Sequence, residues 1–194
     1  KREIAAEMTA LFALCALTNN DKVGLILFSD KIEHFVAPKK GRRHVLRMIR
    51  DVLAFKPESK GTSVSVAMKY ALHAMRKRSV VFLMSDFMDQ DYQSVLRVAS
   101  RKHDLVALEL YDPRERELPN AGLVPLRDKE TGEVVWTDTS SASIRQKYSE
   151  EMTRQTHDRD MFFKQISVDR IELPMDKPYF MELVKFFRNR EKRR

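Results

Sequence analysis

The chain has 194 residues, of which 43% are hydrophobic and 33% charged, with a formal net charge of +8, an ordinary balance for one globular domain that buries its own core. No apolar run reaches the roughly 18 residues a membrane-spanning helix needs, and the first residues do not read as a signal peptide, so a membrane partner is not expected. The single Cys15 has no second thiol to pair with; a disulfide scaffold is excluded, a cytoplasmic setting is expected, and Cys15 reads as a small core residue.

Apolar residues from Ile4 to Leu17 recur at helical spacing and cover more than one face near the end, which predicts a largely buried helix over 2–18. Asn19-Asn20-Asp21 stops it. Val23 to Phe28 is uniformly apolar and reads as a fully buried strand; Ile32 to Val36, with Glu33 and His34, reads as its hairpin partner nearer an edge. Val45, Leu46, Ile49, Val52 and Leu53 then line the core face of a helix whose other face carries Arg43, Arg47, Arg50 and Asp51. A helix from about Ser63 to Lys77 leads into Val80 to Met84, the most apolar strand, expected at the sheet centre. Asp89 and Asp91 read as acids at the start of the helix that runs to about Arg101.

Leu105 to Leu110 is another buried strand, and Tyr111-Asp112-Pro113 closes it. Leu123 to Leu126 and Val134 to Trp136 flank Asp128-Lys129-Glu130-Thr131-Gly132, which predicts a hairpin insertion over 123–138 with a tight turn at its tip. A long helix from about Ser141 to Phe163, a strand from Ser167 to Leu173 and a helix from Tyr179 to Arg188 complete the order. Buried strands alternating with helices imply an α/β domain spanning 1–194, a Rossmann-like, doubly wound, mostly parallel sheet covered on both faces. Such a domain begins with a strand, and this sequence begins with a helix, so the first strand is expected to be absent from it. The strands at Val23 and Val80 would then have open edges, closed against each other or shared with a second copy.

The residues for several chemistries are missing. Five glycines, at 24, 41, 61, 122 and 132, never cluster into a dinucleotide fingerprint or a phosphate loop. The histidines at 34, 44, 73, 103 and 157 show no zinc-site spacing and read as surface or satisfied side chains. Ser85 is followed by Asp86 and lacks the glycines of a nucleophile elbow. A binding module is therefore expected in preference to an enzyme. Two oxygen-bearing residues stand where open α/β sheets bind ligands: Thr62 in the loop before a helix, and Asp86 at the carboxyl end of a strand. A carboxylate there is costly to desolvate without a cation or donors, and a hard ion accepts such oxygens. Thr62 or Ser63 could equally cap the next helix, and Asp86 could bind loop amides.

Asp21 to Asp30, the Lys39-Lys40-Gly41 and Gly61-Thr62 loops, and Ser85-Asp86-Phe87 together resemble the bacterial domain of unknown function family 58, a branch of the von Willebrand factor A domains. The resemblance runs from Lys1 to about Arg188. It implies a protein-interaction module acting as adaptor of an AAA+ ATPase of the MoxR group. It also implies a metal-ion-dependent adhesion site for Mg2+ or Mn2+, in which Thr62 matches the Thr position and Asp86 the last Asp position. The Asp-x-Ser-x-Ser run of that site is absent here, so no tight metal is expected in these residues. A separate expectation rests on charge: Lys39, Lys40, Arg42 and Arg43, and Arg188, Arg190, Lys192, Arg193 and Arg194, are alternative surfaces for nucleic acid or phosphate.

Overall fold

A computed structural model describes residues 2–59, 61–127, 134–176 and 179–191. They form an α/β structure of two compact units, residues 1–110 with 166–172, and residues 111–165 with 173–194.

In the first unit, α1 (Arg2–Thr18) ends where Asn20 takes a left-handed conformation, φ 55°. The Asp21 N–H returns to the Ala16 carbonyl and the Asn20 N–H to Leu17, satisfying carbonyls that the helix end leaves open. Strands β1 (Val23–Phe28) and β2 (Ile32–Lys39) pair antiparallel with a register shift at Gly24. A Cβ at Gly24 would lie 2.8 Å from the Val36 carbonyl oxygen, so only glycine allows this approach. Helices α2 (Arg42–Ala54) and α3 (Val64–Ala74) follow. Then β3 (Val80–Ser85), α4 (Gln93–Lys102) and β4 (Asp104–Tyr111) form a right-sized strand-helix-strand unit whose strands pair parallel, from Val80 with Asp104 to Ser85 with Glu109. A late strand, β7 (Asp169–Pro174), joins the other side of β4, giving the sheet order β3-β4-β7.

The second unit holds β5 (Leu123–Arg127) and β6 (Val134–Asp138), an antiparallel hairpin, with α5 (Ala142–Gln165) and α6 (Phe180–Glu191). Thr139 clamps the hairpin base: its N–H and Oγ1 both donate to the Gly122 carbonyl, at 2.8 and 2.7 Å. The expected tight turn at Asp128 to Gly132 lies outside the described residues, as do Lys192, Arg193 and Arg194 of the basic tail.

Several expectations about burial need correcting. Among the described residues β4 is the central strand, buried from Leu105 to Leu110, because it alone has hydrogen-bonded neighbours on both sides; β3, expected at the centre, lies at an edge with Val80 51% exposed. β1 is not fully buried. None of its six residues is, because its described partner is β2 alone. The expected continuous sheet is thus divided among the described residues, and β1 and β3 do not close directly on each other. α1 packs one face, through Ala6, Met8 and Ala13, with Phe12 stacked on Phe82 at 4.0 Å; Leu14 and Cys15 are exposed, so Cys15 is not a core residue. In α2 the core face is Val45, Met48 and Val52, which turns Leu46 and Leu53 outward.

Candidate functional site

Three loops meet at the amino end of α3. The first is the β1–β2 turn. Ser29, buried, donates from Oγ to Glu33 Oε1 at 2.7 Å and to Asp30 Oδ1 at 3.1 Å. Glu33 in turn accepts the N–H groups of Glu58 and Ser59, both at 3.2 Å, and Lys31 pairs with Glu58 at 2.6 Å. These contacts fold the segment after α2 against the turn. The hydroxyl hydrogen bonds, from Ser59 and Ser29 to Asp30 and from Ser29 to Glu33, hold both carboxyls below their ordinary range.

The second loop carries Gly61, Thr62 and Ser63. The Ser63 N–H donates to the Ser29 carbonyl at 2.8 Å, joining it to the first. Ser63 is the N-cap of α3, its Oγ accepting the Val66 N–H at 3.2 Å, so of the two capping candidates it is Ser63 that caps. Thr62 is exposed beside it.

The third loop follows β3. Asp86 is partly buried, and its Oδ1 accepts the Met88 N–H at 3.4 Å, while the Ser85 hydroxyl accepts the Phe87 N–H at 3.1 Å. Phe87 sits at φ 51°, a left-handed conformation costly for a bulky residue, by about 1–3 kcal/mol. Its buried ring, edge-on to Tyr92 at 5.7 Å, holds it there. Asp89 does not start α4: that helix begins at Gln93, and the Asp89 carboxylate instead accepts the Val64 N–H at 2.7 Å. This bond ties the Asp86 loop to the Thr62 loop. No spacing in the sequence could reveal it, because the partners lie 25 residues apart and on different elements.

The arrangement is a rim of carboxylates and hydroxyls over the carboxyl ends of β1 and β3, the end where open α/β sheets bind ligands. Among the described residues, no three His, Cys, Asp or Glu side chains gather to hold an ion. Thr62 and Asp86 offer two oxygen-bearing side chains of the roughly six oxygens a hard cation takes, a shell that water or other oxygens would have to complete.

A family model described as a protein of unknown function, DUF58, matches residues 1–158. The chain belongs to this family. Among its relatives, the uncharacterized protein Rv1480 of Mycobacterium tuberculosis is 23% identical over 195 aligned residues, 99% of this chain and 61% of that protein. The uncharacterized protein MAV169 of Mycobacterium avium is 28% identical over 118 residues, 60% of this chain and 69% of that one. The chain thus spans about 61% of the length of the first relatives it matches. In fold it is similar to the conserved hypothetical protein BatB of Bacteroides thetaiotaomicron, with a TM-score of 0.54 at 13% identity over 94% of this chain and 83% of that one. No helix among the described residues is long and apolar enough to cross a membrane.

Proposed function

We propose that this DUF58 chain is a protein-interaction module of the von Willebrand factor A type, a cytoplasmic adaptor of an AAA+ ATPase of the MoxR group, with no catalysis of its own. The observation that carries the reading is the fastening of three loops at one sheet end by the Ser63–Ser29 and Asp89–Val64 hydrogen bonds. Loops on a rigid scaffold are where α/β folds recognise partners, and a strained, buried Phe87 directly after Asp86 fixes how that carboxylate is presented. Docking runs through Asp86, Thr62 and the acidic rim around them, toward donors on the partner. Tight metal binding is no part of the proposal for these residues, since Thr62 and Asp86 are the sole matches to the adhesion-site pattern.

The test is binding of the chain to a purified MoxR-type ATPase from the same genome, measured by interferometry with wild type and Asp86→Ala. Loss of binding by a variant that melts like wild type supports the reading. Equal binding by Asp86→Ala would refute the strand-end site, and no binding by wild type would refute the ATPase as partner.

A further inference from the structure

The outward face of α2 has a composition that its role in the fold does not explain. At 100° per residue, Arg42, Leu53, Leu46, Arg50, Arg43, Ala54 and Arg47 fall within one arc of about 140°, and all seven are exposed. The leucines are 51% and 63% exposed and lie nearly in line, two turns or about 10 Å apart, with Arg50 between them. Exposed Lys39 and Lys40 extend the basic strip before the helix. The one carboxylate of the segment, Asp51, is 16% exposed and already faces His34, Arg47 and Arg50, at 3.3, 3.5 and 3.5 Å. No acid is thus left exposed among residues 39–54. Arg42 and Arg43 occupy the first turn, where the helix dipole disfavours cations, and Gly41 offers no side-chain cap. Helix stability alone would select the opposite.

We propose that this face docks on an anionic lipid surface, with the arginines and lysines on headgroup phosphates and carboxylates and Leu46 and Leu53 dipping into the interface. Charge complementarity selects the anion: six cations lie on the strip with no exposed carboxylate. The leucines select lipid over nucleic acid, because single-strand binding uses aromatic platforms and this face has none, whereas a basic helix with apolar residues suits a bilayer surface. Peripheral binding of this kind needs no spanning segment.

The experiment is co-sedimentation of the chain with vesicles of phosphatidylcholine alone and of phosphatidylcholine mixed with phosphatidylserine, across a salt series. Binding is expected only to the mixed vesicles, weakening as salt shortens the screening length. Arg43→Gln, Arg47→Gln and Arg50→Gln should each lower the partition coefficient about fivefold, the equivalent of ~1 kcal/mol per surface cation. Leu46→Ser with Leu53→Ser should lower it severalfold without changing the salt dependence, and Lys147→Gln on α5 should leave it unchanged. These positions are exposed, so the variants should melt like wild type. Equal binding to both vesicle types, or to neither, would overturn the proposal. So would binding of duplex DNA lost in the same arginine variants while vesicles are ignored, which would assign the face to nucleic acid.

Discussion

The Asp89 carboxylate accepts the backbone N–H of Val64 at 2.7 Å, so the turn that follows β3 caps the helix that precedes it. With Ser63 accepting the Val66 N–H, two of the open donors at the start of α3 are satisfied by side chains, one of them an anion at the positive end of the helix dipole. Asp89→Ala is expected to cost about 1–2 kcal/mol in urea denaturation, with Asp89→Asn milder. Asp89→Ala should also weaken partner binding, since the Asp86 loop loses its tether. A denaturation midpoint unchanged from wild type would show that the cap contributes nothing.

A second polar contact sits inside the sheet. Arg170 Nε donates to Glu109 Oε2 at 2.6 Å and its Nη2 to Glu172 Oε1 at 2.5 Å, with the Arg170 and Glu109 side chains 8% and 2% exposed. Arg170→Met removes the guanidinium that pairs with the buried Glu109 carboxylate and with Glu172, and is expected to cost about 3–5 kcal/mol. Glu109→Leu combined with Arg170→Met should recover most of that loss. A double-mutant cycle in denaturant measures the coupling; additive losses would show that the two side chains do not depend on each other.

How far the sequence revealed this structure depends on what each residue's signal reports. Periodicity located α1 at 2–18, and apolar segments flanking a polar, Gly-containing stretch located the hairpin strands at 123 and 134, because such local signals are enough to set an element's type. It misplaced Leu46 and Leu53, because a helix carrying apolar residues on more than one side does not declare which side meets the core. Apolar runs marked β1 and β3 as strands, yet edge or centre is decided by pairing with distant strands, which composition does not record. The places of Asp86 after a strand and of Thr62 before a helix were legible from the sequence. Asp89 and Ser29 were not, because their roles lie in hydrogen bonds to other loops.

His103 carries a pH prediction. It is buried at the junction of α4 and β4, and among the described residues neither ring nitrogen has a hydrogen-bond partner, so it is not the satisfied histidine expected from the sequence. Burial, then the Lys102 charge, pushes its pKa below the ordinary value of 6.5. Above the unfolded-state pKa both states are neutral and His103 adds no pH dependence. Below it the unfolded chain binds the proton first, so stability falls as pH drops from about 6.5 toward the folded-state pKa. Wild type should therefore lose more stability between pH 7.5 and 5.5 than His103→Leu, as read from denaturant midpoints. Parallel curves for the two proteins would exclude His103 as the source.

The edges of β1 and β3 that no described strand covers lead to the last prediction. β1 is six apolar residues with β2 as its described partner, and β3 pairs through β4 with Val80 half exposed at its start. Unpaired edges of such strands recruit other strands, and lysine on an edge is a common device against it. The chain should therefore self-associate with concentration in analytical ultracentrifugation, with the β1 and β3 amides exchanging more slowly at high concentration. Val80→Lys replaces an exposed residue, so it should leave the fold intact while shifting the protein toward monomer. A monomer at every concentration with freely exchanging edge amides would rule out strand sharing. Slow exchange in a monomer would mean instead that the edges are covered within a single chain.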